Sequence, residues 1–198
     1  MDLLLILSIS FLLGSFPTAY ILVKKTFQKD IRKIGSGNPG MMNVLDNFGK
    51  RYAYFGGTVD ILKGIIAVSI AKLYSPNETV AVLAGLTAIA GHDFTPFLKF
   101  KGGNGVATLI GVLFATHWLF GAIYVAIWLL TAAIFRYSSL AALIATFSIP
   151  VYAYFLEQNL QYAISFSIIT AILFWRHKSN IYKLFCGKEN KIGQHEHK

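Results

Sequence analysis

Apolar residues gather into seven runs, at residues 3–23, 52–74, 80–98, 106–117, 119–135, 140–155 and 162–175, with polar connections between them. A helix rises 1.5 Å per residue, so about twenty apolar residues cross the ~30 Å hydrocarbon core of a bilayer. Runs near that length predict spanning helices. Those at 106–117 and 162–175 are short, and the sequence "GGNG" at 102–105 interrupts the chain ahead of the first. Half-helices or re-entrant turns facing protein or water are expected there, because unpaired backbone is not tolerated in lipid. The predicted fold class is all-α: a polytopic integral membrane protein of about seven transmembrane helices, some short or broken. Residues 1–198 read as one domain, with no internal repeat, heptad seam, low-complexity tract or linker.

Composition agrees with the pattern. Hydrophobic residues make up 55% of the chain and charged ones 14%, with a mean hydropathy of +0.56, which excludes an ordinary soluble domain. The first run is not read as a secretion signal. Asp2 replaces a basic start, no small-x-small cleavage site follows, and Lys24-Lys25 close the run like a stop-transfer signal. The net charge of +9 would suit nucleic acid, but sixteen of the eighteen Lys and Arg lie in connections or the tail. They alternate: Lys24, Lys25, Lys29, Arg32, Lys33, Lys50, Arg51, Lys99, Lys101, Arg136 and the tail from Arg176 fall on one side, while "SPNE", "THW" and "EQNLQ" carry none. Basic connections stay cytoplasmic, so the N-terminus is expected outside and the C-terminus in the cytoplasm, with membrane lipids and no nucleic acid as partners. Lys72, near the outer end of its span, is expected to snorkel. A single cysteine, Cys186, excludes an intramolecular disulfide.

Candidate chemistry lies mostly on the cytoplasmic side. "GSGNPG" at 35–40 has the form G-x-G-x-x-G, with Asp60 some twenty positions on. A dinucleotide site needs a strand before those glycines; here a transmembrane run precedes them and Asp60 lies inside another, so that reading fails. Glycines still allow backbone N–H groups to converge on an anion, and Ser36, Asn38 and Asn43 add side-chain donors. A plain turn-rich loop is the competing reading of this segment. "FLKFKGGNGVATLIGV" places Lys99, Lys101 and three glycines directly before a helix, whose first N–H groups attract anions; there is no G-K-[ST] of a Walker loop. Asp60 and Lys63 share a helix face at i and i+3, as a neutralising pair inside a span or as groups contacting substrate. His92 late in its run reads first as a packed or capping residue. The tail "WRHKSNIYKLFCGKENKIG" is amphipathic and basic, and groups Arg176, His177, Asn180 and Glu189 near the same surface. No metal-ligand spacing, nucleophile elbow or H-x-x-x-x-D acyltransferase pattern occurs; no metal or cofactor is expected.

With "GSFPTAYIL", "GSGNPG", "DILKG", "GHDFTPFLKFKGGNGVAT" and "RHKSNIYKLFCGKE" in this order from Gly14 to Lys191, the chain resembles the acyl-phosphate-dependent glycerol-3-phosphate acyltransferases, the PlsY family of multispan bacterial membrane enzymes. The resemblance implies transfer of a fatty acyl group from acyl phosphate to glycerol 3-phosphate, giving lysophosphatidic acid in phospholipid biosynthesis. It also implies a place in the bacterial inner (cell) membrane with the active face cytoplasmic, and a monomer. The implied catalytic residues are Ser36, His177, Asn180 and Glu189. Implied substrate-binding residues are Gly35, Gly37, Asn38, Gly40, Asn43, Lys63, His92, Lys101, Gly102, Gly103, Asn104, Gly105, Thr108 and Arg176. Ser36, Gly37 and Asn38 would cradle one phosphate and Gly102, Gly103 and the helix start at Val106 the other. Three positions depart from the family pattern: Met42 for a threonine, Asp46 for an arginine and Asn104 for a lysine. Alternative readings are a paralogue with another acceptor and a non-catalytic lipid- or anion-binding membrane protein.

Overall fold

The structure, a computed structural model, describes residues 1–194, and among these every regular element is helical. Two compact units divide at Thr116–His117, a boundary without a compositional signal. In the first, α1 (Leu3–Ser15) and α2 (Thr18–Phe27) are followed by a 3₁₀ turn (Ile31–Lys33), α3 (Met41–Phe48), α4 (Lys50–Tyr74), α5 (Glu78–Asp93), a second 3₁₀ turn (Pro96–Leu98) and α6 (Val106–Thr116). The second holds α7 (Trp118–Phe135), α8 (Ser138–Glu157), α9 (Leu160–Arg176) and α10 (Lys178–Phe185).

Five segments are long and apolar enough to cross a membrane: Leu3–Phe27, Lys50–Tyr74, Glu78–Leu98, Trp118–Phe135 and Ser138–Glu157. The helices α6 and α9 are apolar but shorter. At 11 residues α6 is about 16 Å long, half a bilayer core, as its short run predicted. Asp2, Asn77 and Asn159 cap α1, α5 and α9 by accepting backbone N–H bonds, which defines where those helices begin. The first run is not one helix. Pro17 cannot donate an N–H, Phe16 is extended, and the run breaks into α1 and α2.

Small residues draw the first unit together. Gly14 of α1 lies against the Ala88 carbonyl of α5 and Gly91 against that of Phe11; Gly64 of α4 lies against the Thr108 carbonyl of α6 and Gly111 against that of Ile61. A Cβ at any of these would collide with backbone, so glycine here sets the helix spacing, the usual basis of helix association where lipid supplies no hydrophobic drive. The second unit packs around Phe120, Tyr124 and Phe166, with the Tyr124 hydroxyl 3.3 Å from Thr146 Oγ1. Leu4, Leu73 and Phe147 are exposed, as lipid-facing residues are in a spanning helix. Lys72 Nζ donates to the Thr116 carbonyl at 2.7 Å and lies 3.3 Å from Glu78, which ties the end of α4 to the end of α6 and the start of α5.

Candidate active site

The helix break at Phe16–Pro17 creates the first unit's polar centre. Lys63 Nζ donates to the Phe16 carbonyl and to Asp60 Oδ1, both at 2.5 Å, and Thr18 Oγ1 donates to the same Asp60 oxygen at 3.2 Å. Asp60 and Lys63 are buried, so the pair expected from their i, i+3 spacing forms and also holds the break open. His92 Nδ1 lies 3.8 Å from Asp60 Oδ1. Thr95 Oγ1 donates to the Ser15 carbonyl, fixing the end of α5 beside the same break.

A narrow recess opens here, lined by Phe16, Thr18, Pro39, His92, Gly102 and Gly103 among others. It lies where the two glycine loops meet. Asn38 Nδ2 of the first loop donates to Asn104 Oδ1 of the second at 2.6 Å, across 66 positions of sequence. Thus Asn104 has a bonding partner of its own.

Within the loops, the backbone N–H groups close the turns. Ser36 N donates to Asn43 Oδ1 at 3.1 Å, Gly37 N to the Ile34 carbonyl at 3.0 Å and Asn38 N to Ser36 Oγ at 3.4 Å. In the second loop Gly102 N and Gly103 N donate to the Asp93 and His92 carbonyls. The glycines serve close approach instead: a Cβ on Gly102 would meet the His92 carbonyl, and one on Gly103 would meet His92 Nε2. Gly35 needs its positive φ of 54° to turn beside Asn43. Gly105, φ 76°, lies beside the Asp93 carboxylate, and Gly40 leads into α3.

Asn43 is buried, and its Nδ2 faces the carbonyls of Ile31, Ile34 and Asn38. It organises the first loop from inside. Ahead of that loop Asp30 and Arg32 pair at 2.7 Å, and the guanidinium holds the Asp30 carboxyl down at about 2. Lys101 is exposed next to the second loop. Thr108, in the first turn of α6, is buried, and its Oγ1 has no hydrogen-bond partner among the described residues.

The second unit gathers the tail residues. Glu189 accepts from Asn180 Nδ2 at 2.7 Å and from Ser139 Oγ of α8 at 2.6 Å. Beyond it, Ile192 and Arg136 exchange bonds, Ile192 N to the Arg136 carbonyl at 2.7 Å and the Arg136 guanidinium to the Ile192 carbonyl at 3.2 Å. His177 is buried with Nδ1 2.8 Å from the Leu173 carbonyl, and burial pushes its imidazole below the usual histidine value. Arg176 is half-buried at the end of α9. Sequence reasoning missed Ser139, which has no motif; its only signal is its position in the first turn of α8 after a basic connection. No group of three or more His, Cys, Asp or Glu could hold a metal among the described residues.

A family model described as glycerol-3-phosphate acyltransferase matches residues 4–187. The glycerol-3-phosphate acyltransferase of Francisella tularensis subsp. mediasiatica is 46% identical over 188 residues, covering 95% of this chain and 92% of its own. That of Mesorhizobium japonicum is 46% identical over 191 residues and 96% of both chains. Among solved structures, the glycerol 3-phosphate form of PlsY, an integral membrane glycerol 3-phosphate acyltransferase, matches with a TM-score of 0.91 at 33% identity over 96% of each chain. Its lysophosphatidic acid form matches at 0.88 and 32% identity, over 96% of this chain and 95% of that one. The chain belongs to the glycerol-3-phosphate acyltransferase family.

Proposed function

We propose that this protein transfers a fatty acyl group from acyl phosphate to a hydroxyl of glycerol 3-phosphate, yielding lysophosphatidic acid and inorganic phosphate. The observation that carries the reading is the Asn38–Asn104 bond, which brings two glycine loops to one recess in a chain of this family. Both substrates carry a phosphate, and two loops suit two phosphates. Acyl phosphate is already an activated anhydride with a good leaving group, so positioning and charge stabilisation can supply most of the catalysis.

The donors differ from a bare backbone nest. The N–H groups of Ser36, Gly37, Gly102 and Gly103 close the loops, which leaves the hydroxyls of Ser36 and Thr108, the second amide hydrogen of Asn38 and the first turns of α3 and α6 to receive phosphate oxygens. Lys101 adds charge at the rim. For topology, the five long segments together with α6 and α9 make seven crossings, with the basic connections and the tail on the cytoplasmic face of a bacterial inner membrane. The active unit is a monomer.

The test is product analysis with the purified chain in detergent. Acyl phosphate plus glycerol 3-phosphate gives lysophosphatidic acid by mass spectrometry, and glycerol in place of glycerol 3-phosphate gives no ester. Equal use of both acceptors would rule out the proposed phosphate sites.

A further inference from the structure

The end of α9 and the whole of α10 leave large aromatic residues uncovered. No residue of α10 is buried, and Trp175, Tyr182 and Phe185 are 54%, 68% and 89% exposed. These are not scattered positions. Ile168, Ala171 and Trp175 of α9 and Lys178, Tyr182 and Phe185 of α10 are all exposed and follow one another at steps of three or four, so one stripe runs along both helices. His177 joins the helices without ending the pattern: its N–H donates to the Leu173 carbonyl at 2.9 Å and its own carbonyl accepts from Ile181 N at 2.8 Å. The 17 residues of α9 rise about 25 Å, close to the ~30 Å of a hydrocarbon core. Trp175 and the residues after it therefore fall at headgroup level, where tryptophan and tyrosine are favoured.

The same stretch is basic. Between residues 176 and 191 stand Arg176, Lys178, Lys183, Lys188 and Lys191 against a single acid, Glu189, and that carboxylate is taken up by Ser139 and Asn180. Lys178 Nζ lies over the Trp175 ring, 5.3 Å from its centroid, so cation and aromatic share one surface. An acidic protein would also meet these cations. The stripe, however, continues a lipid-facing one, and a face that begins in the bilayer has lipid headgroups as its nearest neighbours.

We propose that α10 and the segment to Lys191 form a docking surface for anionic phospholipids, with Tyr182 and Phe185 entering the interface and Lys178, Lys183 and Lys188 meeting headgroups of net negative charge. The inference rests on the topology proposed above, in which α9 spans the bilayer and the tail is cytoplasmic. Each Lys or Arg near an anionic leaflet strengthens such docking about fivefold, and salt screens it. Lipid then holds the outer side of α10 while Asn180 and Glu189 tie its inner side to Ser139 of α8.

Cys186 is exposed next to Phe185 and is the chain's single cysteine, so acrylodan attached there reports on this face without any substitution. The full chain is compared in nanodiscs of phosphatidylcholine and of phosphatidylcholine mixed with phosphatidylglycerol, with acrylamide as a neutral quencher in the water. Phosphatidylglycerol shifts the emission to the blue and lowers acrylamide quenching about threefold or more. Salt at about 1 M, or Lys178→Gln, Lys183→Gln and Lys188→Gln combined, returns both to the phosphatidylcholine values. Equal quenching in the two lipids overturns the proposal: low in both, apolar burial alone holds the face; high in both, the face is left for a protein partner. Protection that survives the three substitutions overturns the role of these lysines. A label at Ile168→Cys in the Cys186→Ser chain tests the span separately, since a lipid with its nitroxide deep in the acyl chain quenches it only if α9 crosses the bilayer. No quenching there removes the topology and the docking with it, whereas quenching there with equal values at Cys186 removes the docking alone.

Discussion

The contact between Asn38 and Asn104 gives the sharpest quantitative test of how the site is assembled. Their 2.6 Å bond is a neutral amide pair, and such a bond contributes about 0.5–1.5 kcal/mol net. If it holds the loops in register across the recess, its loss lowers transition-state stabilisation by about 1 kcal/mol, or about fivefold in kcat/KM for glycerol 3-phosphate. Asn104→Ala and Asn38→Ala each remove the same bond. A double-mutant cycle on kcat/KM therefore shows a coupling of about 1 kcal/mol, with the double variant about fivefold better than the product of the two single losses predicts. Asn38→Ala exceeds Asn104→Ala by whatever Asn38 gives directly to phosphate. Losses that simply multiply, with coupling below 0.3 kcal/mol, would show that the two amides act separately and that the loops are held by something else.

Three further outcomes follow from the packing. Glu189→Ala removes the acceptor for both Ser139 and Asn180, costs about 2 kcal/mol and frees the tail, which limited trypsin digestion detects as faster cleavage after Lys188 and Lys191. Unchanged digestion would count against the staple. Gly111→Leu forces a side chain into the Ile61 carbonyl, so the thermal midpoint drops sharply, whereas Gly56→Ala, where a Cβ meets nothing, leaves it nearly unchanged. The His177 value is lowered by burial, so the fold favours its neutral form: this group's stabilisation is full above its ordinary value of 6.5 and is lost as pH falls below that. The thermal midpoint accordingly falls between pH 8 and 5.5, and His177→Gln flattens the slope. An equal slope in that variant would assign the pH dependence to other groups.

Spans were readable because apolar run length is a local property: the runs at 52–74, 119–135 and 140–155 correspond to α4, α7 and α8 within a few residues. The break at Pro17 and the helix α3 were not read, although each left a trace. Pro17 stands inside the first run, and Met41, Val44, Leu45 and Phe48 recur at helical spacing within a polar connection. They pack with Ala19, Val23, Ile31 and Ala53 into a small core of their own. Local spacing also foretold the Asp60–Lys63 pair. It could not foretell the Asn38–Asn104 bond, which joins loops 66 positions apart, or the approach of His92 to Asp60, which depends on how α4 and α5 pack. The glycines were legible as special, but the reason differed: at 102 and 103 the missing Cβ admits His92, and the N–H groups serve the loop.

The proposed acyl transfer at the joined glycine loops depends on its acceptor, glycerol 3-phosphate. Its most direct test is phosphate release from a long-chain acyl phosphate by the purified chain, followed with and without glycerol 3-phosphate. The expected release requires glycerol 3-phosphate and equals the lysophosphatidic acid formed. Release at the same rate without glycerol 3-phosphate, or none in its presence, would contradict it.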